Sequence, residues 1–311
     1  MSGRLAVRVA DEVAAALAVG RPVVALESTL ISHGLPQPQN LDVARRLESV
    51  VRAGDAVPAT IGIVDGQPIV GLSDAELMTL ATANNIRKCS RRDIAVTVAR
   101  GEHGATTVAG TLVLMDLAGI QVLATGGIGG VHRGADQTFD ISADLIELAR
   151  SRAIVACAGA KALLDLARTV EVLETVGVPI LGWRTDELPA FYSSASGLPV
   201  TARIESAAEV ARIARAAWGL HNGGVLVGVP PPHGQTLSSE RFEQALTDAL
   251  AEADRLGLRG PDVTPFLLRA VGEATGGESV AANLALLENN ARVGAEIAVA
   301  LSQAAAGRNL A

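Results

Sequence analysis

The sequence has few aromatic residues: two Trp, one Tyr and four Phe, which together make up 2% of its 311 residues. It is also sparing in charge, with 19% charged residues against 49% hydrophobic ones. This balance excludes an intrinsically disordered chain, which needs low hydrophobicity and high charge. Because rings are scarce, aliphatic side chains must fill the interior, and we expect a folded protein with a large aliphatic core.

The sequence also lacks a surplus of basic residues. Its net charge is -7, and no Lys/Arg cluster is large enough to bind a duplex, so a nucleic-acid polymer is not an expected partner. A small anionic ligand would therefore need a local pocket of positive charge. No run reaches the roughly 18 apolar residues that a membrane-spanning helix requires, so no membrane partner is expected either.

Cysteine is rare as well. Cys89 and Cys157 show neither zinc-ligand spacing nor a disulfide framework. The first nine residues carry two Arg with no apolar run after them, so we expect no secretory leader. Free thiols are typical of a reducing compartment, and the sequence indicates a cytoplasmic protein.

Lysine is nearly absent. Lys and Arg together number 26, yet only Lys88 and Lys161 are lysines. A base-composition bias explains the excess of Arg, but a lysine that remains can do what Arg cannot, because only an amine can lose its proton and act as a nucleophile. We expect Lys161 to open the helix after a strand at 153–158, where the helix dipole and apolar neighbours would disfavour its ammonium form.

Predicted strands alternate with predicted helices along the chain. Strands are expected at 22–26, 120–124, 153–158, 178–182 and 224–229, a hairpin around Asp65-Gly66, a helix at 103–117, and three helices after residue 238. Ser73 begins a capping box that opens another helix. The pattern predicts an α/β fold: a three-layer α/β/α sandwich with a mixed, mostly parallel sheet and a helical C-terminal layer. No linker divides the chain, so we expect a single domain over residues 1–311.

Two segments at predicted strand ends are candidates for binding or catalysis. Residues 125–134 contain five glycines with His132 and Arg133, which suits a loop whose backbone approaches a phosphate, although the spacing matches neither a dinucleotide fingerprint nor a Walker loop. Glu27 follows a buried strand, where a carboxyl group could perform acid–base chemistry or simply cap a helix or form an ion pair.

Two charged clusters have equally open interpretations. Asp140, Ser142 and Asp144 could hold a hard metal ion through water, but a capped helix start explains Ser142 and Asp144 as well. Lys88, with the Ser-Arg-Arg-Asp run at 90–93, is either a solvated basic patch or a phosphate clamp. The histidines at 33, 103, 221 and 233 show no metal spacing and receive no role.

Several long segments, in order, resemble the pseudouridine-5'-phosphate glycosidase family, which includes the proteins once called indigoidine synthase A-like. They are VALESTLISHGLPQPQN, ATIGIVDG, KCSRRD, GATTVAGT, ATGGIGGVHRGADQTFDISADL, CAGAKALLDL and TPFLLRAV. The resemblance runs from about residue 22 to near the C-terminus. It implies reversible cleavage of the C–C glycosidic bond of pseudouridine 5'-phosphate to uracil and ribose 5-phosphate, in a homotrimer that uses one divalent metal ion, usually Mn²⁺, per subunit.

The resemblance also implies roles for residues. Lys161 would form a Schiff base with the sugar, Glu27 would donate a proton, and Asp140 would bind the metal. Substrate contacts would fall on Lys88, Thr107, Val108, Thr125, His132, Ser142, Ala143, Asp144 and Asn283.

Three alternatives remain from the residues alone. A Schiff-base aldolase acting on a small sugar phosphate would use the same lysine and phosphate pocket but would not respond to uracil. A non-catalytic sugar-phosphate-binding regulatory module would not need an amine at position 161. A dinucleotide-dependent dehydrogenase is weaker, because the glycine spacing is wrong.

Overall fold

The computed structural model describes residues 5–232, 239–258, 263–276 and 278–307. The strands are β1 (Arg8–Val9), β2 (Val23–Leu26), β3 (Val57–Val64), β4 (Gln67–Val70), β5 (Arg87–Cys89), β6 (Gly104–Thr106), β7 (Val122–Ala124), β8 (Val131–His132), β9 (Ile154–Cys157), β10 (Leu164–Asp165), β11 (Ile180–Trp183), β12 (Ala202–Ile204) and β13 (Val225–Gly228).

The α-helices are α1 (Asp11–Ala18), α2 (Gln39–Ala53), α3 (Asp74–Thr82), α4 (Arg91–Ala99), α5 (Val108–Ala118), α6 (Ala135–Thr138), α7 (Ala143–Arg150), α8 (Leu166–Thr175), α9 (Ala207–Gly219), α10 (Ser239–Arg255), α11 (Val263–Ala274) and α12 (Glu278–Ala306). A π-helical turn, Leu30–Gly34, follows β2. The three helices expected after residue 238 are therefore present, whereas His233 lies outside the described residues. No helix within these ranges is long and apolar enough to cross a membrane.

One large sheet organises the described part of the chain. Its order is β1-β4-β3-β2-β7-β9-β13-β11-β12, with β6 beside β3 and β5 beside β6. From β3 to β12 along this order every neighbouring pair is parallel, whereas β3 runs antiparallel to β4 and to β6. The expectation of a mixed, mostly parallel sheet is thus confirmed.

Helices cover both faces of this sheet. The helices α2 and α12 pack on each other and on the central strands, with α1 and α9 beside them, and α5 packs on β2, β3 and β4 together with α7. The central strands β2, β7, β9 and β13 are buried along their whole length, as their uninterrupted apolar sequences require. The predicted α/β/α arrangement is confirmed.

Local sequence signals account for several element boundaries. Asp65 and Gly66 both have positive φ and form the tight turn between the antiparallel strands β3 and β4. Ser73 accepts a hydrogen bond from the backbone N–H of Glu76, and the Glu76 side chain in turn accepts from the N–H of Ser73, which completes the expected capping box of α3.

The single helix expected over residues 103–117 is wrong. Gly104–Thr106 is strand β6, paired with β3 and β5, and α5 begins only at Val108, with Thr107 as its cap. A Cβ on Gly104 would lie 2.5 Å from Sγ of Cys89, so the close strand pairing needs glycine there. The pairing with distant strands outweighs the local preference of the small residues for a helix.

Candidate active site

Three polar side chains meet at the carboxyl edge of the sheet. Glu27 follows β2, Thr125 follows β7, and Lys161 lies four residues beyond the end of β9. These strands are neighbours in parallel register, with Leu26 beside Ala124 and Ala124 beside Ala156. Since parallel strands present their carboxyl ends at the same edge, this edge is where α/β proteins commonly bind ligands.

Glu27 is partly buried, and its carboxyl group accepts a hydrogen bond from a neighbouring side chain. The Thr125 hydroxyl donates to its Oε1. Burial raises the pKa of Glu27 above its ordinary value, although the charges of Lys161 and Lys88 and the hydrogen bond from Thr125 lower it and the carboxylate of Asp144 raises it further. A raised pKa keeps a larger fraction of Glu27 protonated near neutral pH, so this group can serve as an acid.

Lys161 does not open a helix, so that expectation is wrong. It lies in a loop after β9, and α8 begins at Leu166 with Asp165 as its cap. The loop is fixed by backbone contacts: the N–H of Lys161 donates to the carbonyl of Ile128 over 3.0 Å, and Gly159 has a φ of +88°. A Cβ on Gly159 would lie 2.0 Å from the carbonyl oxygen of Pro189, so only glycine fits. Lys161 therefore does not stand at the N-terminus of α8, where the helix dipole was expected to act on it.

The apolar surroundings expected for Lys161 are present. A small cavity of about 20 Å³ separates its side chain from the 191–192 segment and from α10 and α11. The cavity is lined, besides Lys161, by Ala162, Leu163, Phe191, Tyr192, Phe242, Leu246, Leu267 and Val271. The three rings of this set pack edge to face in sequence, although aromatic residues are scarce in the chain. They form an apolar wall of the cavity that Lys161 also lines.

The glycine-rich loop is held in place by Asp144. Its Oδ1 accepts from the N–H of Ala109 and its Oδ2 from the N–H of Gly129, both over 2.8 Å. Ser142 caps α7 by accepting from the N–H of Asp144 over 3.2 Å. Asp144 is buried, and both of its oxygens are engaged by backbone groups. The carboxylate therefore ties the glycine loop to the first turn of α5.

The N-terminus of α5 contributes a second part of this region. Thr107 accepts from the N–H of Gly110 over 3.2 Å, and Val108 is the first helical residue. Lys88 lies on β5 and is paired with Ala105 of β6. Ala105 precedes Thr107 by two residues in the sequence. The positive charge of Lys88 lowers the pKa of both Glu27 and His132.

Lys88 differs from the basic residues that follow it. Arg91 forms an ion pair with Glu147, and the Arg92 side chain is 87% exposed. Ser90 and Asp93 form the capping box of α4. Of the basic residues in this segment, Lys88 is therefore the candidate for a phosphate contact.

His132 and Asp140 face each other across the glycine loop. The N–H of His132 donates to the Asp140 carbonyl over 3.0 Å, and Nδ1 lies 4.0 Å from Oδ2 of Asp140. Burial lowers the pKa of His132, and the carboxylate of Asp140 opposes this. The Asp140 side chain is 41% exposed. Within the described residues no group of three or more His, Cys, Asp or Glu side chains is arranged to hold a metal ion.

The remaining histidines of the described region have local roles. Nε2 of His33 contacts the carbonyl of Ile86 at 3.1 Å, and Nδ1 of His103 accepts from the N–H of Asp65 at 3.1 Å. His221 follows the end of α9 with a φ of 62°. The sequence motifs gave none of these contacts.

The helix α12 carries two buried asparagines, Asn283 and Asn290. Asn283, which the resemblance implicates, is buried on this helix. Asn290, which sequence reasoning missed, lies two turns further on the same face and donates from Nδ2 to the carbonyls of Thr125 and Gly126. A polar residue on the apolar face of a helix was the available signal for Asn290.

Known proteins resemble this chain over nearly its whole length. The family model described as "Indigoidine synthase A like protein" matches residues 12–300. A protein named pseudouridine-5'-phosphate glycosidase from Herpetosiphon aurantiacus is 54% identical over 299 residues, covering 94% of this chain and 97% of that protein. One of the same name from Chloroflexus aurantiacus is 55% identical, covering 95% and 99%.

Two solved structures are also similar. The prealnumycin C-glycosynthase AlnA, in complex with ribulose 5-phosphate, superposes with a TM-score of 0.91 at 43% identity, covering 98% of this chain and all of that one. An indigoidine synthase A-like protein from Thermotoga maritima gives a TM-score of 0.87 at 36% identity, covering 97% and 99%.

Proposed function

This chain belongs to the indigoidine synthase A-like family, and from that premise we propose how its residues act as a pseudouridine-5'-phosphate glycosidase. The enzyme reversibly cleaves the C–C glycosidic bond of pseudouridine 5'-phosphate, giving uracil and ribose 5-phosphate. One observation carries the assignment of residues: a carboxyl group with a raised pKa and a lysine follow neighbouring parallel strands at one sheet edge.

The chemistry explains why a lysine is needed. A C–C glycosidic bond offers no leaving oxygen or nitrogen to protonate, so hydrolysis by two carboxyl groups has little to act on. Glu27 protonates the ring oxygen as the C1'–O4' bond breaks, and the Lys161 amine adds to C1'. The C1'–C5 bond then breaks as the nitrogen lone pair forms an iminium, and the uracil carbon takes up a proton. Water hydrolyses the iminium, which releases ribose 5-phosphate and restores the amine.

The apolar wall around Lys161 supports this role. Apolar neighbours help to exclude competing water from the site of the covalent step. Thr125 contributes by orienting the carboxyl group of Glu27 through its hydroxyl.

We assign phosphate binding to Lys88, which adds a positive charge in a protein that is acidic as a whole. The N–H groups of Ala109 and Gly110 in the first turn of α5 are already engaged by Asp144 and Thr107, so the charge of Lys88 carries the assignment. The same pocket would include the other residues implied by the family resemblance, namely Thr107, Val108, His132, Ser142, Ala143 and Asn283. Asp144 would act by holding the glycine loop, because its oxygens are already engaged.

We further propose that Asp140 holds a divalent cation, Mn²⁺ or Mg²⁺. Its carboxylate is hard and partly exposed. Such ions can bind through one or two carboxylates and keep several waters, which fits a site where the described residues offer no larger cluster of ligands. When bound, the ion supplies positive charge that offsets the charge of the phosphate. His132, next to Asp140, would help to orient that carboxylate.

Three broader proposals concern the whole protein. We propose that it forms a homotrimer, and the 82% exposure of the Phe139 ring beside the exposed Ile141 supports self-association. We propose that residues 1–311 act as one domain, since a single sheet joins β1 to β12. We place the enzyme in the cytoplasm, with its buried, unpaired Cys89 and Cys157 as support.

One experiment tests the activity against the aldolase alternative. Protein, Mn²⁺, uracil and ribose 5-phosphate are mixed, and the products are analysed by mass spectrometry. We expect pseudouridine 5'-phosphate to form only when uracil is present. An aldolase would instead consume ribose 5-phosphate in a manner independent of uracil.

A further inference from the structure

The helix α12 contacts the backbone next to Thr125 through the buried side chain of Asn290. Asn290 is 1% exposed, and its Nδ2 donates to the carbonyl of Thr125 over 2.8 Å and to that of Gly126 over 3.2 Å. Both carbonyls lie where β7 ends and the glycine-rich loop begins. The two hydrogen bonds therefore join the C-terminal helix to the turn that carries Thr125.

The neighbours of Asn290 on this helix are apolar. A Cβ on Gly126 would contact Leu287 at 3.2 Å, and one on Gly294 would contact Ala124 at 3.0 Å, so the helix packs closely along β7 and its loop. The residues about one turn away, Leu286, Leu287 and Val293, are buried and apolar. Position 290 nevertheless holds an amide.

The side-chain amide of Asn290 has a fixed orientation, and that orientation is energetically unfavourable for its oxygen. Nδ2 must face the two carbonyls, because Oδ1 in that place would repel them. Oδ1 is buried and receives no hydrogen bond from any described residue, and a buried acceptor without a partner is unfavourable. Retaining such a group is expected where its other contacts serve a purpose beyond packing.

Two hydrogen bonds, both made by Thr125, connect Asn290 to Glu27. Asn290 binds the backbone carbonyl of Thr125, and the hydroxyl of the same Thr125 donates to Oε1 of Glu27. We propose that Asn290 is a positioning residue for the proton donor: it holds the Thr125 turn so that the Thr125 hydroxyl engages the carboxyl group of Glu27. The inference rests on the proposed role of Glu27 as the acid.

The charged groups that face Glu27 come from other elements. Lys161 stands after β9, Lys88 on β5 and Asp144 on α7, and all three act on Glu27 directly. Asn290 is uncharged, so it can influence the acid only through the geometry of Thr125. The effect of an Asn290 substitution on Glu27 can therefore be measured separately from the effects of the three charged residues.

The test compares two Asn290 variants with a neighbouring control. Asn290→Leu keeps roughly the volume of the side chain and removes both donors, and Asn290→Ala serves if the leucine disturbs packing. Asn289→Ala is the control, because Asn289 also donates from its amide to a backbone carbonyl, that of Pro230 over 3.1 Å, away from Thr125. Thermal unfolding identifies variants that are folded, and the release of uracil is then measured against pH.

We expect each folded Asn290 variant to lower kcat far more than it changes KM. The basic limb of its kcat–pH profile should move upward by about one pH unit, because a hydrogen bond that favours the Glu27 carboxylate is lost. Asn289→Ala should leave the limb in place. Thr125→Val should produce the same shift, and Thr125→Val combined with Asn290→Leu should give no further shift, because both act on one contact.

An unmoved limb in a folded Asn290 variant would overturn the proposal, as would a shift that adds to that of Thr125→Val. Glu27→Gln separates this failure from failure of the proposed function. If Glu27→Gln remains active, Glu27 is not the acid and the function assigned to it fails. If Glu27→Gln is inactive while the Asn290 variants keep the wild-type profile, only the positioning role fails.

Discussion

The Thr125 hydroxyl donates a hydrogen bond to Oε1 of Glu27, joining the ends of two neighbouring parallel strands. The bond stabilises the carboxylate and so lowers the pKa of Glu27, while burial raises that pKa by more. The pKa of the acid in the proposed mechanism is thus raised by burial and lowered by the charge of Lys161 and by the Thr125 hydroxyl.

This balance predicts the effect of Thr125→Val on pH dependence. The reaction needs protonated Glu27, so activity falls as pH rises through the pKa of Glu27. Removing the hydroxyl raises that pKa, and the basic limb of kcat should move to higher pH by about one unit. Thr125→Ser, which keeps a hydroxyl, is the matched control and should retain the wild-type limb; a downward shift in Thr125→Val would contradict the assignment.

The position of Lys88 predicts that this residue binds the phosphate group of the substrate. A charge-assisted hydrogen bond contributes about 1.5–3 kcal/mol, so Lys88→Ala should raise KM for pseudouridine 5'-phosphate by roughly 10- to 100-fold. Arg92→Ala, at a largely exposed residue of the same region, should change KM little. The wild type should also turn over free pseudouridine far more slowly than its 5'-phosphate. Equal efficiency on both substrates would refute the phosphate pocket.

The proposed role of the Asp140 carboxylate predicts metal dependence, which can be measured directly. Asp140→Ala should abolish the binding of Mn²⁺, followed by its electron paramagnetic resonance signal, and should lose most activity with an unchanged fold. Asp136→Ala is a suitable control, because Asp136 is ion-paired to Arg168 on the outer side of the same segment. Full wild-type activity after exhaustive chelation would argue against any metal requirement.

The sequence predicted those elements of the fold that depend on short local patterns. The apolar runs of β2, β7 and β9 indicated strands, and Glu27, the glycine-rich loop and Lys161 were each expected just beyond a strand. That these three strands are neighbours in the sheet is shown by the structure. The hairpin at Asp65-Gly66 and the cap at Ser73 followed from short-range turn chemistry.

Contacts between distant segments could not be predicted in this way. The loop that holds Lys161 depends on the carbonyls of Ile128 and Pro189, and so the sequence suggested a helix start where none exists. The bond from Asn290 to Thr125 spans 165 residues and leaves only a polar residue on an apolar helix face as its trace. In both cases tertiary packing, not local propensity, decided the structure.

The covalent role of Lys161 is the central claim, and trapping by borohydride tests it most directly. Borohydride added to enzyme and ribose 5-phosphate should reduce the iminium and leave a stable mass increase on the peptide that contains Lys161. Lys161→Arg should keep the positive charge and bind the sugar phosphate, yet remain inactive and unlabelled, because a guanidinium supplies no amine. Normal turnover by Lys161→Arg, or a trapped mass that maps to Lys88, would contradict the mechanism.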